Sequence, residues 1–380
     1  MTYPLYLDYC ATTPVDPQVL EAMLPYFSEH FGNAASRFHA YGWQAEEAVA
    51  EARNQIATLL GKPATNKDIV FTSGATESIN LAIKGVFESQ KAKGNHIVTT
   101  QIEHKAVLDT CKHLEKQGAE ITYLPVNSAG QISLEQLKEA IKPSTMLISV
   151  MAANNETGVI YPIQEMAEIA RQNQILFHTD ATQAIGKIAV NLENIDLLSF
   201  SGHKMYAPKG IGALYVRKGI AITAQQDGGG HERGRRSGTL NVAGIVALGK
   251  ACEIAQKSQK EEAERLEKWR DKLESEILKQ ITDTTINGAE SPRLPHVSNI
   301  SFGGVDGEDL LMSLSEIAVS NGSACNSAST EPSYVLKAMG LSDERAFSSI
   351  RFSLGRFTQE TDIELAIRHV KEVVGVKRGR

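Results

Sequence analysis

The segment QAEEAVAEARNQIATLL carries apolar residues at 45, 48, 49, 52, 56, 59 and 60. They fall on one face of a 3.6-residue period and predict a helix over 44–60. From about residue 40 to 250, such segments alternate with short apolar runs. DIVFT (68–72), HIVTT (96–100), ITYLPV (121–126), MLISVM (146–151), ILFHT (175–179), DLLSFS (196–201) and IGALYV (211–216) predict buried strands. Helical patterns at 75–91, 104–117, 133–142 and 163–173 lie between many of them. This alternation predicts an α/β layer with a mostly parallel central sheet.

After Gly238 the pattern changes. Residues 239–280 are nearly strand-free, and EEAERLEKWRDKLESEIL (261–278) reads as a charged amphipathic helix. VSNISF, IAVSN and SSIRFSL, with helices near 307–314, 332–339 and 360–374, predict a smaller α+β domain. The expected division is an N-terminal segment 1–15 packing with the small domain, a large domain 16–255 and a small domain 256–380. No internal repeat or low-complexity linker interrupts it.

Composition narrows the function classes. The 380 residues hold 39 Lys+Arg against 45 Asp+Glu, a net charge of −6, which argues against general nucleic-acid binding. No apolar run approaches the ~20 residues that cross a bilayer. The start, MTYPLYLDYCATTP, has no cationic leader pattern, and Asp8 interrupts its apolar stretch, so a cytoplasmic, membrane-free protein is expected. Cys10, Cys111, Cys252 and Cys325 form no CxxC pair, and the histidines show no HExxH spacing, so no permanent metal site is expected.

The candidate chemistry sits at predicted strand ends. Ser73-Gly74-Ala75-Thr76 follows DIVFT and opens a helix, where backbone amides suit a phosphate. His104 follows HIVTT, Asp180 and Gln183 close ILFHT, and Ser201-Gly202-His203-Lys204 closes DLLSFS. Each alone has a plainer explanation as a helix cap or a solvated side chain. Together they occupy the carboxyl ends of strands, where open α/β sheets bind ligands. A Lys, an acid and a phosphate cradle are what pyridoxal phosphate (PLP) requires. Cys325 lies in SNGSACNSAST, a run of small and polar residues without apolar packing partners, which favours a reactive thiol on a loop over a core cysteine. The basic run HERGRRSG (231–238) reads as a glycine-rich interface loop rather than a nucleic-acid patch.

Over almost its whole length the chain resembles the cysteine desulfurases of bacterial housekeeping type, within the class-V aminotransferase family of fold-type I PLP enzymes. The motifs are YLDYCATTPVDP, FGNAASR, FTSGATES, EHKAVLDTC, NNETGV, DATQ, SFSGHK, GGGHERGRRSGT, SNGSACNSASTEPSYVL and SSIRFSLGRFT. The resemblance implies that Lys204 forms the Schiff base with PLP, Asp180 pairs with the pyridinium nitrogen, and His104 stacks on the ring and assists proton transfer. It implies that Gln183 bonds the ring hydroxyl and that Ala75, Thr76, Ser201 and His203 hold the phosphate, with Thr239 reaching in from the second subunit of a homodimer. Asn155 and Arg351 would orient L-cysteine, Arg351 by pairing with its carboxylate. Cys325 would take the sulfur as a persulfide, releasing alanine, and could act as a transient iron–sulfur ligand. Implied partners are sulfur-acceptor proteins: an iron–sulfur scaffold or a tRNA-thiolation carrier. The sequence departs from the familiar pattern at Cys10, Asn321 and Asn326, and it stops at VKRGR where such enzymes usually carry a docking tail. A selenocysteine lyase, an aminotransferase, a sulfur-carrying scaffold and a Cys325–His104 amidase are the competing expectations.

Overall fold

The computed structural model describes residues 3–321 and 331–379. Its strands are β1 (Leu5–Tyr6), β2 (Ile69–Thr72), β3 (His96–Thr100), β4 (Glu120–Leu124), β5 (Thr145–Ser149), β6 (Leu176–Asp180), β7 (Leu197–Ser201), β8 (Gly212–Val216), β9 (Thr284–Ile286), β10 (Val297–Phe302), β11 (Ile317–Ala318) and β12 (Ser349–Ser353). The larger sheet runs β2-β8-β7-β6-β5-β3-β4. Strands β7, β6, β5, β3 and β4 pair in parallel, whereas β8 is antiparallel to both β7 and β2. Only residues 202–211 join β7 to β8. That is shorter than the dozen or more residues a parallel crossover needs, so the chain turns back on itself.

The sheet has apolar cover on both faces. Helices Ala40–Leu60 and Ile163–Gln172 and the first half of Val242–Gln280 bury one face against Val98, Ile148, Phe177 and Leu198. Helices Ala75–Ser89 and Lys105–Glu115 bury the other against Ile97, Leu147, Leu197 and Leu214. The mostly parallel α/β layer expected from the alternation is therefore present.

Helix Val242–Gln280 leaves this core and enters a second one. Its Leu266, Leu273 and Ile277 pack with Ile300, Phe302, Phe352, Ile363 and Val370. There β12-β10-β9 forms an antiparallel sheet backed by helix Glu360–Arg378, and β1 pairs with β11 in parallel. The boundary expected near residue 255 falls inside this one continuous helix of 39 residues, roughly 58 Å long.

Several details differ from the sequence pattern, each for a local reason. The expected strand ITYLPV stops at Leu124, because Pro125 has no amide to donate to a neighbour. Helix Pro17–Met23 has few periodic residues, yet Pro17 opens it and the Asp16 side chain caps it by accepting from Gln18 N at 2.9 Å. His104 belongs to the cap of Lys105–Glu115 rather than to the helix.

The basic loop is held by a buried ion pair. Glu232 accepts from Arg53 Nη1 at 3.0 Å and from Phe71 N at 2.8 Å, and Arg53 Nη2 also reaches its carboxylate. The guanidinium lies 4.5 Å from the Phe71 ring centroid, and Glu232 is fixed at φ 50°. Breaking such a buried pair strands the surviving charge, at a cost of about 3–5 kcal/mol. Glu232→Ala should therefore lower the denaturant midpoint clearly, whereas Glu253→Ala, a control that breaks half-exposed pairs with Lys250 and Lys257, should shift it by less than about 1 kcal/mol in equivalent stability. Equal midpoints for the two variants would refute this role.

Candidate active site

The carboxyl ends of β2, β3, β5, β6 and β7 open into one cavity of about 520 Å³. Its wall includes Ala75, Thr76, Ser201 and His203, the expected phosphate group, and His104, Asp180, Gln183 and Lys204, the expected ring and Schiff-base group. Asn155 and Arg351, expected at the substrate, line it too. Thr239 is exposed and does not line this cavity. Cys325 lies outside the described residues.

The helix Ala75–Ser89 begins at Gly74 with no side-chain cap, so its first amides are directed to the cavity. A Cβ on Gly212 would sit 2.6 Å from Gly74 Cα, so only glycine lets β8 approach this turn. Glu77 accepts from Ser73 N at 2.6 Å and pairs with Arg236 Nε at 2.7 Å. Burial opposes its ionisation, but the Arg236 bond and the Ser73 amide hold the carboxyl below its usual range. His203 is different. Burial, then Lys204 and Lys209, push its imidazole down to about 4, so it stays neutral.

Lys204 ends the short turn after β7, and its Nζ donates to the carbonyls of Cys10 and Ala11 at 2.5 and 2.6 Å. The same N-terminal strap clamps the turn. Thr13 N and Oγ1 donate to His203 O at 2.9 and 3.0 Å, Tyr206 N donates to Thr13 Oγ1 at 2.8 Å, and Asp16 N donates to Tyr206 O at 3.0 Å. Gln183 Nε2 donates to Cys10 O at 3.1 Å. Asp180 is buried at the end of β6, and its Oδ1 takes both the amide and the hydroxyl of Thr182. Its Oδ2 receives no bond from the described residues and remains for a donor in the cavity. His104 Nδ1 accepts from Ala106 N at 3.1 Å, which places the proton of the neutral ring on Nε2.

Arg351 crosses from β12 with only 1% of its surface exposed. It donates to Asn155 O at 2.8 Å and pairs with Asp8 Oδ1 at 2.7 Å. Asp8 was not among the expected site residues, and neither were the Cys10 and Ala11 carbonyls, Thr13, Glu103, Glu156 or Tyr334. Ser333 Oγ donates to Glu156 Oε2 at 2.5 Å and Tyr334 OH to Glu103 O at 2.6 Å, fixing residues 333–334 to the cavity rim. A hint was available for Asp8, a charge that interrupts a short apolar stretch. The others touch the site through backbone atoms or buried contacts that no local pattern reports. Cys10, Cys111 and Cys252 are buried, and burial raises all three thiols, as packing residues require.

Residues 5–365 match the Aminotransferase class-V family. Cysteine desulfurase IscS of Anaeromyxobacter sp. (strain K) is 54% identical over 378 residues, covering 98% of this chain and 93% of that protein. The chain belongs to the class-V aminotransferase family, among its cysteine desulfurases. Cysteine desulfurase IscS of Photorhabdus laumondii subsp. laumondii is likewise 54% identical over 381 residues, 99% of this chain and 94% of that protein. Among solved structures, a NifS-like protein superposes with TM-score 0.91 at 39% identity, covering 98% of this chain and all (100%) of that one. The structure titled SspA in complex with cysteine gives TM-score 0.82 at 38% identity, covering 93% and 100%.

The class-V aminotransferase family is PLP-dependent, and this desulfurase-family cavity suits that cofactor. It presents uncapped amides for a phosphate, an open carboxylate oxygen for a ring N–H, and an amine for an aldehyde. Asn155 Oδ1 adds a buried acceptor with no partner among the described residues.

Two histidines, one half-buried and one buried, give the site a pH signature. His203 is pushed down to about 4, and burial pushes His178, which bridges Ser149 and Ser199 below Asp180, down to about 3. A histidine with a depressed pKa leaves the unfolded chain holding more protons, so stability falls as pH drops below about 6.5 toward 4. His203→Gln should flatten part of that acid slope, read as denaturant midpoint against pH. An unchanged slope would mean that His203 is charged in the folded protein.

Proposed function

We propose that this chain is a PLP-dependent cysteine desulfurase that converts L-cysteine to L-alanine, takes the sulfur as a persulfide on Cys325, and passes it to acceptor proteins. The observation that carries the reading is the convergence of Lys204, Asp180, an uncapped helix start and Arg351 on one cavity. PLP, when bound, holds the amino group of the amino acid and accepts an electron pair from it. Each residue then has a separate task. Lys204 holds the cofactor's aldehyde carbon. Asp180 keeps a proton on the ring nitrogen. The amides of Ala75 and Thr76 with Ser201 and His203 bind the phosphate. Gln183 donates to the ring hydroxyl. His104 covers the ring face and moves a proton through Nε2. Arg351 and Asn155 orient the substrate, and Arg351's planar fork fits a carboxylate.

A homodimer fits the surface. Leu24, Phe27, Phe31, Phe38, Tyr41 and Trp43 are all more than half exposed within one stretch of chain, a concentration of exposed large apolar side chains that suits a protein interface. Thr239 is exposed as well, free to complete the phosphate site of a second copy. Delivery of sulfur to an iron–sulfur scaffold or a thiolation carrier in the cytoplasm, with Cys325 as a transient cluster ligand, completes the proposal. No helix among the described residues is long and apolar enough to cross a membrane.

Borohydride treatment of the PLP-loaded protein followed by peptide mass analysis should place the cofactor on Lys204, and Lys204→Ala should carry no label. Cys325→Ala should keep the bound cofactor and form no alanine from L-cysteine. Alanine production by that variant at wild-type rates would replace the persulfide route with direct elimination.

Arg351→Lys replaces a bidentate fork by a point charge. One charge-assisted hydrogen bond is worth about 1.5–3 kcal/mol, so KM for L-cysteine should rise about 10- to 100-fold with PLP binding preserved. An unchanged KM would remove Arg351 from the substrate site.

A further inference from the structure

Glu103 precedes His104 in the chain and is completely buried. Its Oε1 accepts from Thr100 Oγ1 at 3.0 Å and from Met151 N at 2.9 Å, so the carboxyl bridges the ends of β3 and β5. Its own carbonyl receives the Tyr334 hydroxyl at 2.6 Å. The turn that carries His104 is thus fixed from three directions by one residue. Yet Oε2 is buried with no partner among the described residues, and Glu103 forms no ion pair there.

The groups facing this carboxyl do not favour a charge on it. Asp180 closes β6 nearby and disfavours a second negative charge, Tyr161 lies in the chain beyond β5 with its hydroxyl unpartnered among the described residues, and Cys111 projects from helix Lys105–Glu115 as a buried thiol. A buried carboxylate without a cation or a filled set of hydrogen bonds gives up its charge by taking a proton. Burial first, then Asp180, raises this carboxyl to about 8 against the pull of the Met151 and Thr100 bonds.

We propose that Glu103 is a positioning residue that works as a neutral acid: it locks the 100–104 turn, and with it the His104 ring, without adding a negative charge beside Asp180. The role of His104 in this statement rests on the function proposed above. The form of Glu103 itself does not.

Three measurements test it. Infrared difference spectra of the PLP-loaded wild type should show a protonated-carboxyl band at about pH 6 that fades by about pH 9 and is missing from Glu103→Gln. A raised carboxyl contributes stability that is full below its ordinary value of 4.5 and lost as pH rises through about 8. Glu103→Gln has no proton to lose, so it should gain on the wild type steadily across that window. In turnover, Glu103→Ala should lose about 10²-fold, the scale of a misplaced proton-transfer group, and Glu103→Gln should recover to within about tenfold of the wild type. If the Ala variant does not fold, the infrared band and the pH-dependent gap of the Gln variant decide the matter. No protonated band at about pH 6, or a Gln variant as impaired as Ala, overturns the proposal. A wild type that carries the band but shows no PLP-dependent alanine release from cysteine would overturn the functional reading and leave the neutral Glu103 standing.

Discussion

Two backbone carbonyls, those of Cys10 and Ala11, hold the Lys204 amine, and most of the site's geometry follows from that contact. A lysine on a flexible four-carbon stem loses its freedom only where rigid acceptors fix it. The acceptors here belong to a strap whose next residues grip the lysine's own backbone turn. In the other direction the strap reaches Asp8, which pairs with Arg351, and β1, which pairs with β11. The amine at the strand end and the guanidinium from the smaller sheet are therefore registered to each other through a few consecutive residues. A shift of the strap would disturb both groups together.

Charge in the cavity is shared out by burial as much as by pairing. Arg351 and Arg236 provide fixed positive charge, with Asp8 and Glu77 set against them. His203 and His178 are kept neutral, so neither imidazole adds a titrating charge to the amide dipoles at the Gly74 turn. Asp180, bonded on one oxygen only, is the group left with capacity to answer a ligand's N–H.

Much of this was legible in the sequence, because short apolar runs bounded by polar turns report buried strands directly. Lys204, Asp180, His104 and the Ser73–Thr76 turn could be placed at strand ends before any coordinates, and all line one cavity. The direction of β8 was not legible from its own residues, since an apolar run has no polarity; the short link 202–211 determines it. Asp8, Thr13 and Glu103 act through contacts made far along the chain or through backbone atoms, and neither leaves a periodic trace. Thr13 and His203 are 190 positions apart, yet adjacent in space.

Helix Val242–Gln280 contributes hydrophobic residues to two cores and contains no proline that would let it bend sharply between them. Unfolding either core would strip one half of the helix of its packing and leave the other half to fray from the exposed junction. The two halves of the molecule are thereby joined in one cooperative unit, and damage to the smaller sheet is transmitted to the larger as a loss of order along a common spine.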